Sequence, residues 1–115
     1  MSKLFSPATY RGMTLKNRVI VAPMCQYSAQ HGLANDWHLV HLGRFALGGF
    51  SLVIAEAAGV TPEGRISYGC LGLWDDAQIE PLKRIVDFLR KNGAKASISG
   101  NHLIRTEVTL PRDIW

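Results

Sequence analysis

The chain reads as an α/β protein with a parallel sheet, and three observations predict it. Two wholly apolar runs, Val19-Ile20-Val21-Ala22 and Leu52-Val53-Ile54-Ala55, have the composition of strands buried on both faces. Each is followed, after a loop, by a stretch with helical periodicity, over 36–47 and 80–91. The first run breaks at Pro23, and a thiol, an amide and a phenol follow at Cys25, Gln26 and Tyr27. Those groups emerge at the C-terminal end of a strand, the edge where ligands collect in parallel α/β sheets.

Taken in order, residues 4–16 predict a small hairpin: Leu4-Phe5, a turn at Ser6-Pro7, Thr9-Tyr10, a turn at Gly12, then Met13-Thr14-Leu15. The first strand covers roughly 18–22. A polar loop over 26–35 ends at Asn35, a good N-cap, with Asp36 in the first turn of the helix that follows. That helix, 36–47, sets Leu39, Leu42 and Ala46 on one side, with Val40 and Leu47 widening the face. Gly48-Gly49 stops it.

The second strand spans 51–57. The Gly-rich segment 58–74 is longer than an ordinary βα connection, a length often tied to function. Two starts are open for the next helix. Asp75 with Gln78 three residues on makes a near capping box. A start at Glu80 instead puts Pro81 at the first helical position, and this second version is preferred. Ile79, Leu82, Ile85, Val86 and Leu89 face inward, Glu80–Arg84 and Asp87–Lys91 have i,i+4 spacing, and Asn92-Gly93 ends the helix. No linker or low-complexity tract interrupts the chain, so 1–115 is one unit of hairpin-β-α-β-α-β type.

Composition narrows the partners. Thirteen basic and nine acidic side chains give a net charge of +4, scattered without a basic block, which argues against a nucleic-acid partner. No apolar run approaches the roughly 20 residues of a membrane span, and 1–7 lacks the apolar core of a secretory signal. Two cysteines, Cys25 and Cys70, make no disulfide scaffold and fit reduced thiols in a cytoplasmic protein. His38 and His41 at i,i+3 lack a third ligand nearby, so no metal site is expected and packing between or on helices is favoured. His31 reads as a loop histidine, Cys70 as loop filler, and Trp37 and Trp74 as packing anchors.

Ala22-Pro23-Met24-Cys25-x-Tyr27 resembles the flavin-binding segment of the Old Yellow Enzyme family, in its thermophilic-like, YqjM-type branch. Leu15-Lys16-Asn17-Arg18 before the first strand is similar to the family as well. So are Leu52-Val53-Ile54-Ala55-Glu56-Ala57, Thr61-Pro62-Glu63-Gly64-Arg65-Ile66-Ser67 and Leu71-Gly72-Leu73-Trp74, in the family's order from about Leu4 to Gly93. The resemblance implies the N-terminal part of a (β/α)8 barrel, a hairpin plugging its N-terminal end and two to three βα units. A whole barrel takes about 250 residues, so 115 imply a truncated one.

It also implies an FMN-dependent oxidoreductase, driven by NAD(P)H, that reduces the C=C bond of a small activated alkene. By resemblance, Ala22, Pro23, Met24, Cys25 and Ala57 form part of the flavin wall, the Cys25 thiol tunes the flavin, and the Tyr27 hydroxyl binds substrate or donates a proton. Read without the family, Cys25 is a small buried apolar residue and Tyr27 a partly buried aromatic with a wet hydroxyl. The family's third strand runs Gly-Ile-Gln-Leu-x-His-x-Gly-Arg, and here Ser97-Ile98-Ser99-Gly100-Asn101-His102-Leu103-Ile104-Arg105 keeps Ile98, His102 and Arg105 in register. Ser99 stands where the flavin-binding Gln would be and cannot offer an amide's paired donor and acceptor. His102 matches a position near the substrate pocket. Residues 106–115 diverge from the family, and the chain has no Gly-x-Gly-x-x-Gly or P-loop signature.

Three readings follow: such an oxidoreductase, a non-catalytic homologue that assembles with a full-length one, or a small α/β domain binding another nucleotide. A sheet cut from a barrel exposes edges and an apolar face, so self-association or a complementary chain is expected.

Overall fold

The computed structural model describes residues 2–101. His102, Arg105 and the divergent 106–115 tail lie outside the described residues. A 3₁₀ turn, Lys3–Phe5, precedes the antiparallel hairpin of β1 (Ala8–Tyr10) and β2 (Met13–Leu15). Leu4-Phe5, expected as part of the hairpin, is that turn, capped by Ser2. The rest is β3 (Ile20–Val21), α1 (Asp36–Leu47), β4 (Leu52–Gly59), α2 (Ile79–Lys91) and β5 (Lys95–Asn101). The three later strands form one parallel sheet in the order β3-β4-β5, with β4 central. Parallel neighbours joined through helices are βαβ units.

The helices cover one face of the sheet. Val21, Val53 and Ala55 pack there with Leu42 and Ala46 of α1 and Leu82, Ile85 and Leu89 of α2. Burying each of these larger side chains is worth about 1.5–3 kcal/mol. The two helices meet closely at Gly43, where a Cβ would fall 2.8 Å from the Phe88 ring. Along β4 burial alternates, with Leu52 and Ile54 half-exposed and Val53 and Ala55 buried. The opposite face is uncovered: Ile20 remains 42% exposed and Ser99 is exposed.

Several boundaries and contacts differ from those the sequence suggested. The first strand is shorter than 18–22 because only Ile20 and Val21 find partners on β4. The second is longer than 51–57, since Ala58 and Gly59 continue the pairing with β5. The helix over 36–47 has the expected bounds, but Val40 and Leu47 are 68% and 67% exposed; His38 and His41 fill the buried face instead. The Asp75 capping box does form, on a 3₁₀ turn over Asp76–Gln78, and α2 starts at Ile79. Pro81 is therefore the third helical residue, where its missing N–H still costs no helical bond. Arg84 bonds Asp36 of α1 at 2.9 Å and Lys83 takes Asp87 at 2.8 Å, so neither expected helical pair forms.

The hairpin is tied to the N-terminal end of the sheet. Asn17 donates to the Gly49 carbonyl beyond α1 at 2.8 Å and accepts from Val19 N–H at 3.0 Å. Among the described residues no helix is long and apolar enough to cross a membrane.

Candidate functional site at the C-terminal strand ends

After β3 the chain leaves the sheet through Ala22, Pro23 and Met24, all exposed, and then turns at Tyr27 with φ of +52°. A left-handed tyrosine is sterically unfavourable and persists only where its surroundings hold it. They do so from both sides. Gly69 of the long loop lies flat against it, and a Cβ there would run into the Tyr27 carbonyl. Ala29 N–H donates to the Gly69 carbonyl at 2.9 Å, and Asn35, capping α1, donates to the Ser28 carbonyl at 2.8 Å. Gln26 folds back on the Met24 carbonyl at 3.0 Å, and its own Oε1 accepts from Trp37 Nε1 at 3.1 Å. Trp37, expected as a packing anchor, is 57% exposed and acts through that hydrogen bond.

This clamp presents Cys25 half-buried and the Tyr27 ring 54% exposed. The neighbouring Cys25 thiol raises the Tyr27 hydroxyl above its ordinary value, first by disfavouring a second negative charge and then by hydrogen bonding. The phenol is therefore a neutral donor across the physiological range.

β4 supplies the second part. Ala55 pairs with Ile98 and Ala57 with Ser99, so Glu56 is an extra residue on its strand, a β-bulge. Simple alternation would send Glu56 to the open face and Ala57 toward the helices. The bulge reverses this: Glu56 is 3% exposed and meets α1, while Ala57 keeps its place opposite Ser99. Small side chains thus stand at the C-terminal ends of two paired strands beside the exposed exit from the third.

Glu56 Oε1 lies 3.5 Å from Nε2 of His38, which is fully buried. His38 Nδ1 accepts from Asn35 N–H at 3.1 Å, so the ring proton resides on Nε2 and faces the carboxyl. Burial lowers the His38 imidazole, with His41 adding to the effect, and burial pushes Glu56 up to about 7 against the backbone groups of Gln26 and Leu71. At neutral pH the two are a neutral imidazole and a titrating acid, not an ion pair. His38 Nε2 and Glu56 Oε2 lack a hydrogen-bond partner.

The long loop closes over the same edge. Gly59 and Gly72 form a parallel bridge, and Gln78, 2% exposed, gathers the turns below it. Its Oε1 accepts from Trp74 and Asp75 N–H at 2.9 and 3.1 Å, and its Nε2 donates to the His31 carbonyl at 3.4 Å. Cys70 is buried and its Sγ accepts from Ser67 N–H at 3.3 Å, so it organises the loop where filler was expected. Trp74 packs under the Arg65 guanidinium at 5.1 Å. His31 sits in a left-handed turn, φ +52°. Among the described residues no group of three ligating side chains gathers for a metal.

Of the residues singled out from sequence, Cys25 and Tyr27 adjoin, Ala57 and Ser99 are paired, and Ala22–Met24 lie exposed at the same edge. His102 falls outside the described residues. Sequence reading missed the inward turn of Glu56 and its meeting with His38. The only available signal was a carboxylate inside an otherwise apolar strand.

The chain matches the model of the NADH:flavin oxidoreductase / NADH oxidase family over residues 3–108. It is 48% identical over 101 residues to an NADH:flavin oxidoreductase of Gibberella zeae, covering 88% of this chain and 24% of that one. Among solved structures it is similar to morphinone reductase, with TM-score 0.80, 27% identity, and coverage of 87% of this chain and 26% of that one. It is similar also to Old Yellow Enzyme from Pichia sp. AKU4542, with TM-score 0.81, 26% identity, and coverage of 88% and 26%. The chain spans about a quarter of the length of these relatives. Its hairpin and βα units have the fold of the N-terminal part of a (β/α)8 barrel, and the chain belongs to the NADH:flavin oxidoreductase / NADH oxidase family.

Proposed function

We propose that this chain supplies the first strands of an FMN-dependent ene-reductase that uses NAD(P)H to reduce an activated C=C bond. The observation that carries the reading is the clamped Cys25–Tyr27 turn beside the small-residue patch of Ala57 and Ser99. The residues fit a flavin ring: Ala57 and Ser99 leave room for a flat surface, and Ala22, Pro23 and Met24 are exposed beside it. When bound, FMN supplies the hydride chemistry. Ala22, Pro23, Met24 and Ala57 wall the ring, Ser99 offers one hydroxyl to its edge, and Cys25 sets a polarizable sulfur against it. Tyr27, strained outward and protonated, orients an electron-poor alkene and holds the proton it requires. The Pro-Met-Cys-x-Tyr pattern favours the thermophilic-like branch of the Old Yellow Enzymes, and two free thiols suit a reducing compartment such as the cytoplasm.

The test is a chimera in which this chain replaces the matching segment of the Gibberella zeae relative. Cys25→Ala is expected to shift the flavin reduction potential while FMN stays bound. Tyr27→Phe should slow alkene reduction about 10²-fold or more, with little effect on flavin reduction by the nicotinamide. Stopped-flow measurement of the two half-reactions reads both. Equal slowing of both halves by Tyr27→Phe, with an unchanged potential in Cys25→Ala, would overturn these roles.

A second reading, a non-catalytic homologue that assembles with a longer flavin oxidoreductase, is favoured by one observation. Both outer strands, β3 and β5, pair on one side only among the described residues, and such edges template pairing with other chains.

A further inference from the structure

Glu56 occupies a position that its strand alone would not give it. The bulge at Ala55–Ala57 turns it to the helix side of the sheet, where Val53 and Ala55 are packed among apolar neighbours. A carboxyl there is costly unless it is partnered. Three separate elements surround it: His38 of α1, whose Nε2 approaches Oε1 to 3.5 Å without a hydrogen bond, the backbone of Gln26 after β3, and the backbone of Leu71 in the long loop. Gln26 and Leu71 belong to the two segments that clamp Tyr27, the second through Gly69. One carboxyl oxygen and one imidazole nitrogen remain without a partner at this junction.

We propose that Glu56, oriented by His38, is a positioning residue that fastens the Cys25–Tyr27 turn to the long loop and couples the seating of the thiol and phenol to its own protonation. The proposal rests on reading that edge as the flavin site, but its test needs no flavin. The titratable groups around Glu56 are His38 with His41 one turn further along α1, Cys25 and Tyr27 on the loop after β3, and Cys70 beside Leu71. Above neutrality the ionised carboxylate, buried beside a neutral imidazole, is better solvated in an open turn and loosens it. Below it, the neutral acid stays buried against the backbone of Gln26 and Leu71 and holds the turn closed.

Site-resolved alkylation of the 115-residue chain by iodoacetamide, read by mass spectrometry from pH 6 to 8.5, tests this. Buried Cys70 reports whether the fold is intact, and Cys25 reports the turn. In Glu56→Gln, Cys25 is expected to label at the wild-type rate near pH 6 and at least threefold slower than wild type near pH 8.5, with Cys70 protected throughout. In Glu56→Ala, which removes the anchor altogether, it should label faster than in Glu56→Gln at every pH. A variant-to-wild-type ratio for Glu56→Gln that stays flat with pH would overturn the proposal. So would loss of Cys70 protection in that variant, which would make Glu56 a support of the fold alone. A separate FMN titration that failed while the labelling ratio fell with pH would sink the flavin reading and leave this one standing.

Discussion

The two faces of the β3-β4-β5 sheet differ in what covers them. The helix side is closed: Val21, Val53 and Ala55 lie under Leu42, Leu82, Ile85 and Leu89, all of them buried. The other side is graded along the strands. Near their N-terminal ends it carries Ile20, Leu52 and Ile54, apolar and partly exposed; near their C-terminal ends it carries Ala57 and Ser99. An apolar half asks for protein, whereas a half of small and polar groups leaves room for a flat ligand. One side of the sheet stabilises the chain, and the other is the one we propose for its chemistry.

The comparison can be broken first at the closed face. Leu89→Ala removes a side chain that is 2% exposed and is expected to cost about 2–5 kcal/mol in denaturant unfolding. Ile20→Ser on the open face should cost less than about 1 kcal/mol. The self-association that we propose for the open edges of the 115-residue chain should be dispersed by the same change, as read by sedimentation. Equal destabilisation by the two would show the faces to be equivalent.

Among the described residues Glu56 is the one acidic side chain buried on the closed side, and its effect depends on pH. Its folded value of about 7 lies above the ordinary 4.5, so the native state binds the extra proton. The stabilisation from that proton is complete below the unfolded value and is lost as pH rises through 7, amounting to up to about 3 kcal/mol. His38 and His41, both lowered, act in the opposite sense, with stability lost as pH falls below 6.5. The difference between wild type and Glu56→Gln isolates the first effect: wild type should lose ground to the variant between pH 5 and 8. A pH-independent difference would remove Glu56 from the account.

A smaller effect sharpens the view of the clamp. Gly69→Ala must push the Tyr27 backbone aside and is expected to cost about 1–3 kcal/mol. Tyr27→Gly relieves the positive φ and should be neutral or slightly stabilising. If Gly69→Ala is silent, the turn is not held from that side.

What could be read from sequence follows from which signals are local. Asn35 with Asp36, and the periodicity of Leu82, Ile85 and Leu89, placed helices whose caps and faces depend on neighbours a few residues away. The apolar runs placed two parallel strands, and the Pro23 break placed the exit toward Cys25 and Tyr27. The bulge escaped notice, because it depends on how β4 registers against β5, some 40 residues further on. The same holds for His38, whose spacing suggested packing on or between helices but whose partner is a strand carboxylate. Val40 and Leu47 misled because apolarity alone does not say which side of a helix the sheet will take.

The central claim is that the bulge keeps Ala57 on the open face, as part of a flavin wall. Substituting Ala57→Leu in the Gibberella zeae chimera and titrating FMN by fluorescence tests it most directly. The account predicts at least a tenfold loss of FMN affinity, with unfolding in denaturant little changed, because the added side chain projects into the ring's place and not into the helix-side core. FMN affinity at the parental level, or unfolding that is sharply destabilised, would contradict it.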